Sequence, residues 1–233
     1  MLTLVPYVQA IVDVNNQSVV GYEAVIRANE NGILHSTSEI LRKAQRRKRL
    51  PALDNAIHTT VLSQYMNPHI PIFLNCSPQT LSARKLFFPE NVDLSKVILE
   101  ITEGAPFHAE LDDVANYLAP FRNNGLRIAI DDFGIGWANF DRLAALTPEF
   151  VKLDHSLTRD VATRQPVQDM ISGLVSFAAK THTHLIAEGI ERDDQAITIQ
   201  RLGVRFAQGF YYDRPKSLLP ETVKEGTTNY VLS

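Results

Sequence analysis

A chain of 233 residues, 45% hydrophobic and 21% charged, is long enough to bury one substantial core as a single domain of the larger kind. Its formal net charge of −3 argues against a general DNA or RNA binder, because phosphate contacts need clustered positive charge. A lone cysteine, Cys76, excludes an intramolecular disulfide, and no stretch approaches the roughly 20 consecutive apolar residues of a membrane span.

The opening MLTLVPYVQAIVDV lacks a basic leader and a small-residue cleavage site, so it reads as fold rather than as signal peptide. The expectation is one cytoplasmic domain over residues 1–233, with a core from about residue 5 to 215. From about Glu221 to 233 the chain reads as a tail or short peripheral helix.

Leu4 to Val14 and Gln17 to Arg27 read as two strands around an Asn15-Asn16 turn. The first carries Gln9; the second carries Glu23 and Arg27 among apolar neighbours. Thr37 or Ser38 can cap a helix running through Arg49. That helix holds the one dense basic run, Arg42 to Arg49, which reads as a solvated helix face because no aromatics interleave with the charges. A second helix spans roughly Leu53 to Tyr65, with Leu53, Ile57, Val61 and Tyr65 on one face.

A rhythm of apolar strands follows, each stopping at a polar residue. Ile70 to Leu74 ends at Asn75, and Lys96 to Leu99 ends at Glu100. After a helix from Leu111 to Phe121, stopped by Asn123-Asn124-Gly125, Leu126 to Ile130 ends at Asp131-Asp132. Phe150-Val151 leads to Lys152, and Leu185 to Ala187 leads to Glu188, past the helical stripe of Val167, Ile171, Leu174 and Ala178. Val204 to Ala207 ends at Gln208. Alternating buried strands and amphipathic helices imply a largely parallel sheet. An open doubly wound sheet is the alternative, but no Gly-x-Gly-x-x-Gly follows the first strand. Polar residues at successive strand ends point to a barrel, where those ends converge on one face. The hairpin at the start makes it a modified (β/α)8 barrel of the TIM type, with an antiparallel first strand.

Glu23, Asn75, Glu100, Asp131 and Asp132 are hard oxygen donors, which suit Mg²⁺ or Mn²⁺ better than zinc. Converging carboxylates repel one another and lose hydration, so two cations sharing a bridging aspartate would offset the charge and set up phosphoryl chemistry. Lys152 would meet developing charge, and Glu188 would orient water or act as base. Taken singly, an acid after a strand more often caps a helix or pairs with a lysine; the joint pattern is what carries weight. Cys76 reads as a buried inert thiol, and His182 and His184 as satisfied or surface histidines.

The stretches VQAIVD, GYEAVIR, IFLNCSP, ILEITE, IAIDDFG, VKLD, IAEGIE and QGFYYDRP resemble, in order, the EAL domain, a bacterial cyclic-di-GMP phosphodiesterase family. The resemblance covers about Val5 to Pro215. It implies a modified TIM barrel that hydrolyses one phosphodiester of cyclic di-GMP to linear pGpG with two Mg²⁺ or Mn²⁺ ions, commonly as a homodimer. By residue, it implies metal ligands at Glu23, Asn75, Glu100 and Asp131, with Asp132 at the second metal. It places Lys152 and Glu188 at the catalytic water, and Gln9 and Arg27 on the substrate. Glu191 and Gln208 match further active-site positions, and Glu103 matches a glutamate that steadies the loop after Asp132.

Three places depart from the family pattern. The triplet reads Glu-Ala-Val, the segment after Arg27 lacks the usual Trp and His-Pro, and Ile135 to Phe140 replaces the usual Thr-Gly-Tyr-Ser-Ser-Leu. Loss of those hydroxyls removes hydrogen bonds that could hold the neighbouring aspartates. A second reading therefore stands beside the enzyme: a cyclic-di-GMP receptor that binds with little or no hydrolysis. A protein-interaction module that has lost the ligand is a third, against which the retained Gln9 and Arg27 count.

Overall fold

The structure is a computed structural model that describes residues 2–67, 69–102, 107–134, 139–218 and 229–230. Strands β1 (Leu2–Asp13) and β2 (Val19–Glu30) pair antiparallel, with Gln9 opposite Glu23, and β3 (Ile33–His35) extends the outer edge of β2. Helices α1 (Thr37–Arg46) and α2 (Leu50–Gln64) follow, then β4 (Ile72–Cys76), α3 (Pro78–Ser82) and a single 3-10 turn (Leu94–Lys96). Next come β5 (Val97–Thr102), α4 (Leu111–Asn123), β6 (Arg127–Phe133), α5 (Asn139–Leu146) and β7 (Phe150–Leu153). The chain continues with α6 (His155–Thr158), α7 (Gln165–Thr181), β8 (His184–Ala187), α8 (Asp193–Arg201) and β9 (Phe206–Ala207). Short strands β10 (Lys216–Ser217) and β11 (Asn229–Tyr230) add to β1.

Eight strands close in the order β1-β2-β4-β5-β6-β7-β8-β9 and back to β1. β1 runs antiparallel to both neighbours, and the remaining pairings are parallel. This is the modified TIM-type barrel with an antiparallel first strand. The larger apolar core lies between barrel and helices, joining Leu74, Leu99, Ile128 and Val151 to Leu53, Leu118 and Ile171.

The barrel interior is built in two layers. Ile11, Phe73, Ile98, Ala129, Ile186 and Phe206, with Phe150 against them, form an apolar floor. Side chains alternate along a strand, so the residue two positions on faces the same way, one layer higher. Two residues after Phe73, Ile98, Ala129, Phe150, Ile186 and Phe206 stand Asn75, Glu100, Asp131, Lys152, Glu188 and Gln208. On β1, which runs the other way, Gln9 precedes Ile11 by two. Gly21 precedes Glu23 on β2, and its missing side chain makes room for the floor: a Cβ there would sit 2.5 Å from the Phe73 ring.

Three local expectations are corrected. The first helix stops at Arg46 rather than Arg49, because Lys48 turns left-handed (φ 54°) and α2 begins anew at Leu50 with Pro51 in its first turn. Its start is fixed by Ser36, whose backbone N–H donates to Glu39 Oε2 at 2.8 Å, rather than by Thr37 or Ser38. Within the stretch read as a tail or helix, Asn229–Tyr230 is a strand paired with Leu2 and Thr3, because the long β1 offers unpaired backbone there.

Candidate active site

The upper layer of the barrel closes around one ammonium group. Lys152 is 1% exposed, and its Nζ lies 2.7 Å from Glu188, 2.8 Å from Glu100, 3.1 Å from Asp131 and 3.3 Å from Glu23. Burial disfavours its charge, but the four carboxylates outweigh that and hold it well above the ordinary lysine range. One cation cannot neutralise four acids. Burial pushes Glu188 up to about 8, against the pull of Lys152 and with help from Asp131 and Glu23. Burial likewise pushes Glu100 well up, with Glu23 and Asp131 adding to the effect. Glu23 moves the other way: burial raises it, but Lys152, Gln208 and Asn75 together bring it below its usual value.

The remaining ligand candidates close the ring. Asn75 donates to Glu23 Oε1 at 3.2 Å, and Gln208 Nε2 donates to Glu23 Oε2 at 2.7 Å and to Gln9 Oε1 at 3.1 Å. Gln9 in turn donates to the Asp213 carbonyl at 2.9 Å. Glu191 lies in the wall of a cleft of about 290 Å³ with Gln9, Glu23, Glu188 and Gln208. Arg27 is exposed, further along β2, with its guanidinium over the Tyr7 ring. It stands outside the ionic cluster. Glu103 and residues 135–138 of the altered loop lie outside the described residues.

Asp131 and Asp132 are neighbours, and in a regular strand they would face opposite sides. β6 instead carries a bulge here, setting Ile130 to Phe133 against Val151 to Leu153, and Asp132 adopts a left-handed conformation (φ 59°). Both carboxylates thereby reach the site: oxygen atoms of Asp131, Asp132 and Glu188 lie within 4.8 Å of one another. Burial and the charge of Asp131 push Asp132 up, while the Thr102 hydroxyl, donating at 3.1 Å, stabilises its anion.

These residues fit a divalent cation. Glu100 Oε2 is a fully buried carboxylate oxygen that accepts no hydrogen bond, and an orphaned acceptor of this kind is costly unless a cation meets it. The donors are all oxygens, as Mg²⁺ and Mn²⁺ prefer. Glu188 stands within the acid trio, so it can face both a cation and water.

Sequence reasoning missed the supports. Asp54 of α2, 3% exposed, accepts from the Ser77 backbone N–H at 2.9 Å, the Ser77 hydroxyl at 2.6 Å and the Thr80 hydroxyl. His58 Nε2 lies 2.9 Å from the Asn75 carbonyl, which can only accept, so that nitrogen carries the proton. Together they fix the turn that carries Asn75. Arg142, buried on α5, donates to the Thr102 carbonyl at 2.9 Å and so steadies the residue that holds Asp132. The available signal was a charged residue on an apolar helix face, as with Asp54 between Leu53 and Ile57.

The family model for the EAL domain matches residues 2–215. The chain belongs to the EAL domain family. Among curated relatives, this EAL domain is 32% identical over 134 residues to the probable cyclic di-GMP phosphodiesterase PdeA of Escherichia coli, covering 58% of this chain and 18% of that protein. It is 32% identical over 163 residues to the cyclic di-GMP phosphodiesterase RocR of Pseudomonas aeruginosa, covering 66% of this chain and 41% of RocR. The chain thus spans less than half the length of either relative. Among solved structures, BlrP1 of Klebsiella pneumoniae, in a complex with manganese and cyclic di-GMP, superposes with a TM-score of 0.77 at 25% identity. That match covers 91% of this chain and 56% of the BlrP1 chain. Among the described residues, no helix is long and apolar enough to cross a membrane.

Proposed function

We propose that this EAL domain is a metal-dependent phosphodiesterase that opens cyclic di-GMP to linear pGpG. The observation that carries the reading is the ring of Glu23, Glu100, Asp131 and Glu188 around the buried Lys152, with a buried Glu100 oxygen accepting no hydrogen bond. Two Mg²⁺ or Mn²⁺ ions, held by Glu23, Asn75, Glu100, Asp131 and Asp132, would supply Lewis acidity to a phosphoryl oxygen and to water. Lys152 and Glu188 then orient the attacking water, with Glu188 placed to take its proton. The water oxygen joins phosphorus, the P–O3′ bond breaks, and the leaving O3′ takes up a proton from solvent while Glu188 returns the one it took, giving a 5′-phosphate and a free 3′-hydroxyl. Gln208, itself bonded to Gln9, holds Glu23 in place, both glutamines line the cleft with Glu191, and Arg27 provides a guanidinium for a phosphate or base at the outer edge. We carry a homodimer into this reading, because Phe140 and Met170 expose apolar surface on α5 and α7.

Product analysis tests it. Purified protein with cyclic di-GMP and Mn²⁺ should yield linear pGpG, and Glu23→Ala should yield none. A second reading, binding without efficient hydrolysis, draws on the missing hydroxyls of Ile135 to Phe140. It predicts saturable cyclic di-GMP binding by calorimetry with no linear product over hours.

A further inference from the structure

The barrel also opens at the pole opposite the acidic ring. Beneath the floor lies a cavity of about 220 Å³, walled by Phe73, Phe150, Phe206, His184, Ile186 and Arg127. The rings form a connected wall: Phe73 to Phe150 at 5.3 Å between centroids, Phe150 to His184 at 5.6 Å, and His184 to Phe206 at 5.4 Å. Arg127 lays its guanidinium 5.7 Å from the centre of Phe150 and donates to the Ser95 carbonyl at 3.2 Å.

Among the described residues, no carboxylate pairs with Arg127. Glu149, the acid nearest in influence, is already engaged by Arg122 at 2.7 Å and by the Ile128 backbone N–H at 2.8 Å. Arg205, stacked on Phe206, is matched by Asp13 at 2.8 Å. Among the described residues, the mouth therefore keeps one half-buried positive charge with no carboxylate in ion-pair contact, Glu149 acting on it only at longer range. His184 responds to the same field, its imidazole held below the usual range by burial and by Arg205 and Arg127.

We propose that this lower mouth is a binding site for a small planar aromatic molecule carrying one carboxylate. An apolar cavity of about 150 Å³ lined by aliphatic and aromatic side chains already accommodates benzene, so the larger volume here leaves room for a carboxyl group on the ring. Edge and face contacts with three phenyl rings and an imidazole favour an aromatic body. The planar guanidinium fork matches a carboxylate, and a single cation among apolar walls disfavours a phosphate dianion, whose second charge would be desolvated without a partner. The site lies on the far side of the floor from the acidic ring and is independent of the proposed hydrolysis.

Calorimetry on the intact protein tests it, with benzoate and its neutral isostere benzamide as probes, in EDTA and again in Mn²⁺. Benzoate should bind saturably under both conditions, and benzamide at least about tenfold more weakly, as the loss of one charge-assisted contact requires. Arg127→Met should abolish the preference for benzoate. Arg127→Gln, which keeps a polar amide on the same stem without the charge, should do the same and serves if the first variant folds poorly. No saturable benzoate binding, equal affinity for benzamide, or benzoate binding unchanged in a folded Arg127 variant would overturn the proposal.

Discussion

Glu100 Oε1 lies 2.8 Å from Lys152 Nζ, while Oε2 of the same fully buried carboxylate accepts no hydrogen bond. The residue is half compensated, and the protein bears that cost in its metal-free form. Glu100→Gln removes a carboxyl whose ionised form burial disfavours and keeps the shape, so metal-free stability should rise by about 1 kcal/mol. Mn²⁺ affinity and turnover should fall, affinity by more than the roughly 10- to 100-fold that losing only an outer partner of a ligand costs. Urea unfolding in EDTA and Mn²⁺ calorimetry read the two effects separately, and a variant that loses both stability and affinity would contradict this account.

Lys152 gives the opposite sign. Lys152→Met leaves four carboxylates facing one another without a counter-charge, so the metal-free protein should lose about 3–5 kcal/mol, as when one partner of a buried pair is removed. Mn²⁺ should recover more of that stability than it adds to the wild type, because a divalent ion then becomes the only cation in the ring. Thermal unfolding with and without Mn²⁺ measures the difference.

Gly209 has φ 156°, and a Cβ there would come within 2.0 Å of the Ile190 carbonyl oxygen. The backbone cannot accommodate this without moving Gln208, which holds both Gln9 and Glu23. Gly209→Ala should destabilise by about 2–4 kcal/mol and lower turnover in the folded fraction, as steric strain at a special backbone position does. Chemical denaturation alongside rate measurements on folded protein checks both.

Asp13 provides a pH-dependent contribution away from the acidic ring. Burial works against its charge, but the Arg205 guanidinium and the Asn15 backbone N–H outweigh burial and hold its carboxyl below the ordinary value. A depressed acid contributes stability above its unfolded pKa and loses it as pH falls through the folded pKa. The wild type should therefore exceed Asp13→Asn by about 1 kcal/mol at neutral pH, with the gap closing below the usual aspartate range. A gap that stays constant from pH 7 to strongly acid pH would contradict this linkage.

Much of the site was legible because strand alternation is strict. On the six strands from β4 to β9 the upper-layer residue follows an apolar floor residue by two positions, as Phe150 precedes Lys152 and Ile98 precedes Glu100, and the parallel strands then bring their ends to one face. The bulge at Asp131-Asp132 was not legible. It depends on a left-handed aspartate, a conformation no sequence period records. Arg46 as a helix end was hidden for the same reason, since a lysine rather than a glycine takes the left-handed turn. Asp54, His58 and Arg142 act through contacts made only once α2 and α5 have docked, so their residue types alone could not place them beside Asn75 and Thr102.

On the proposed reading, the acidic ring works through bound divalent metal on cyclic di-GMP. Protein stripped with EDTA should leave cyclic di-GMP intact, and addition of Mn²⁺ to the same sample should start the appearance of linear pGpG, followed by chromatography. Intact cyclic di-GMP after hours with Mn²⁺, or linear product formed at an equal rate in EDTA, would contradict it.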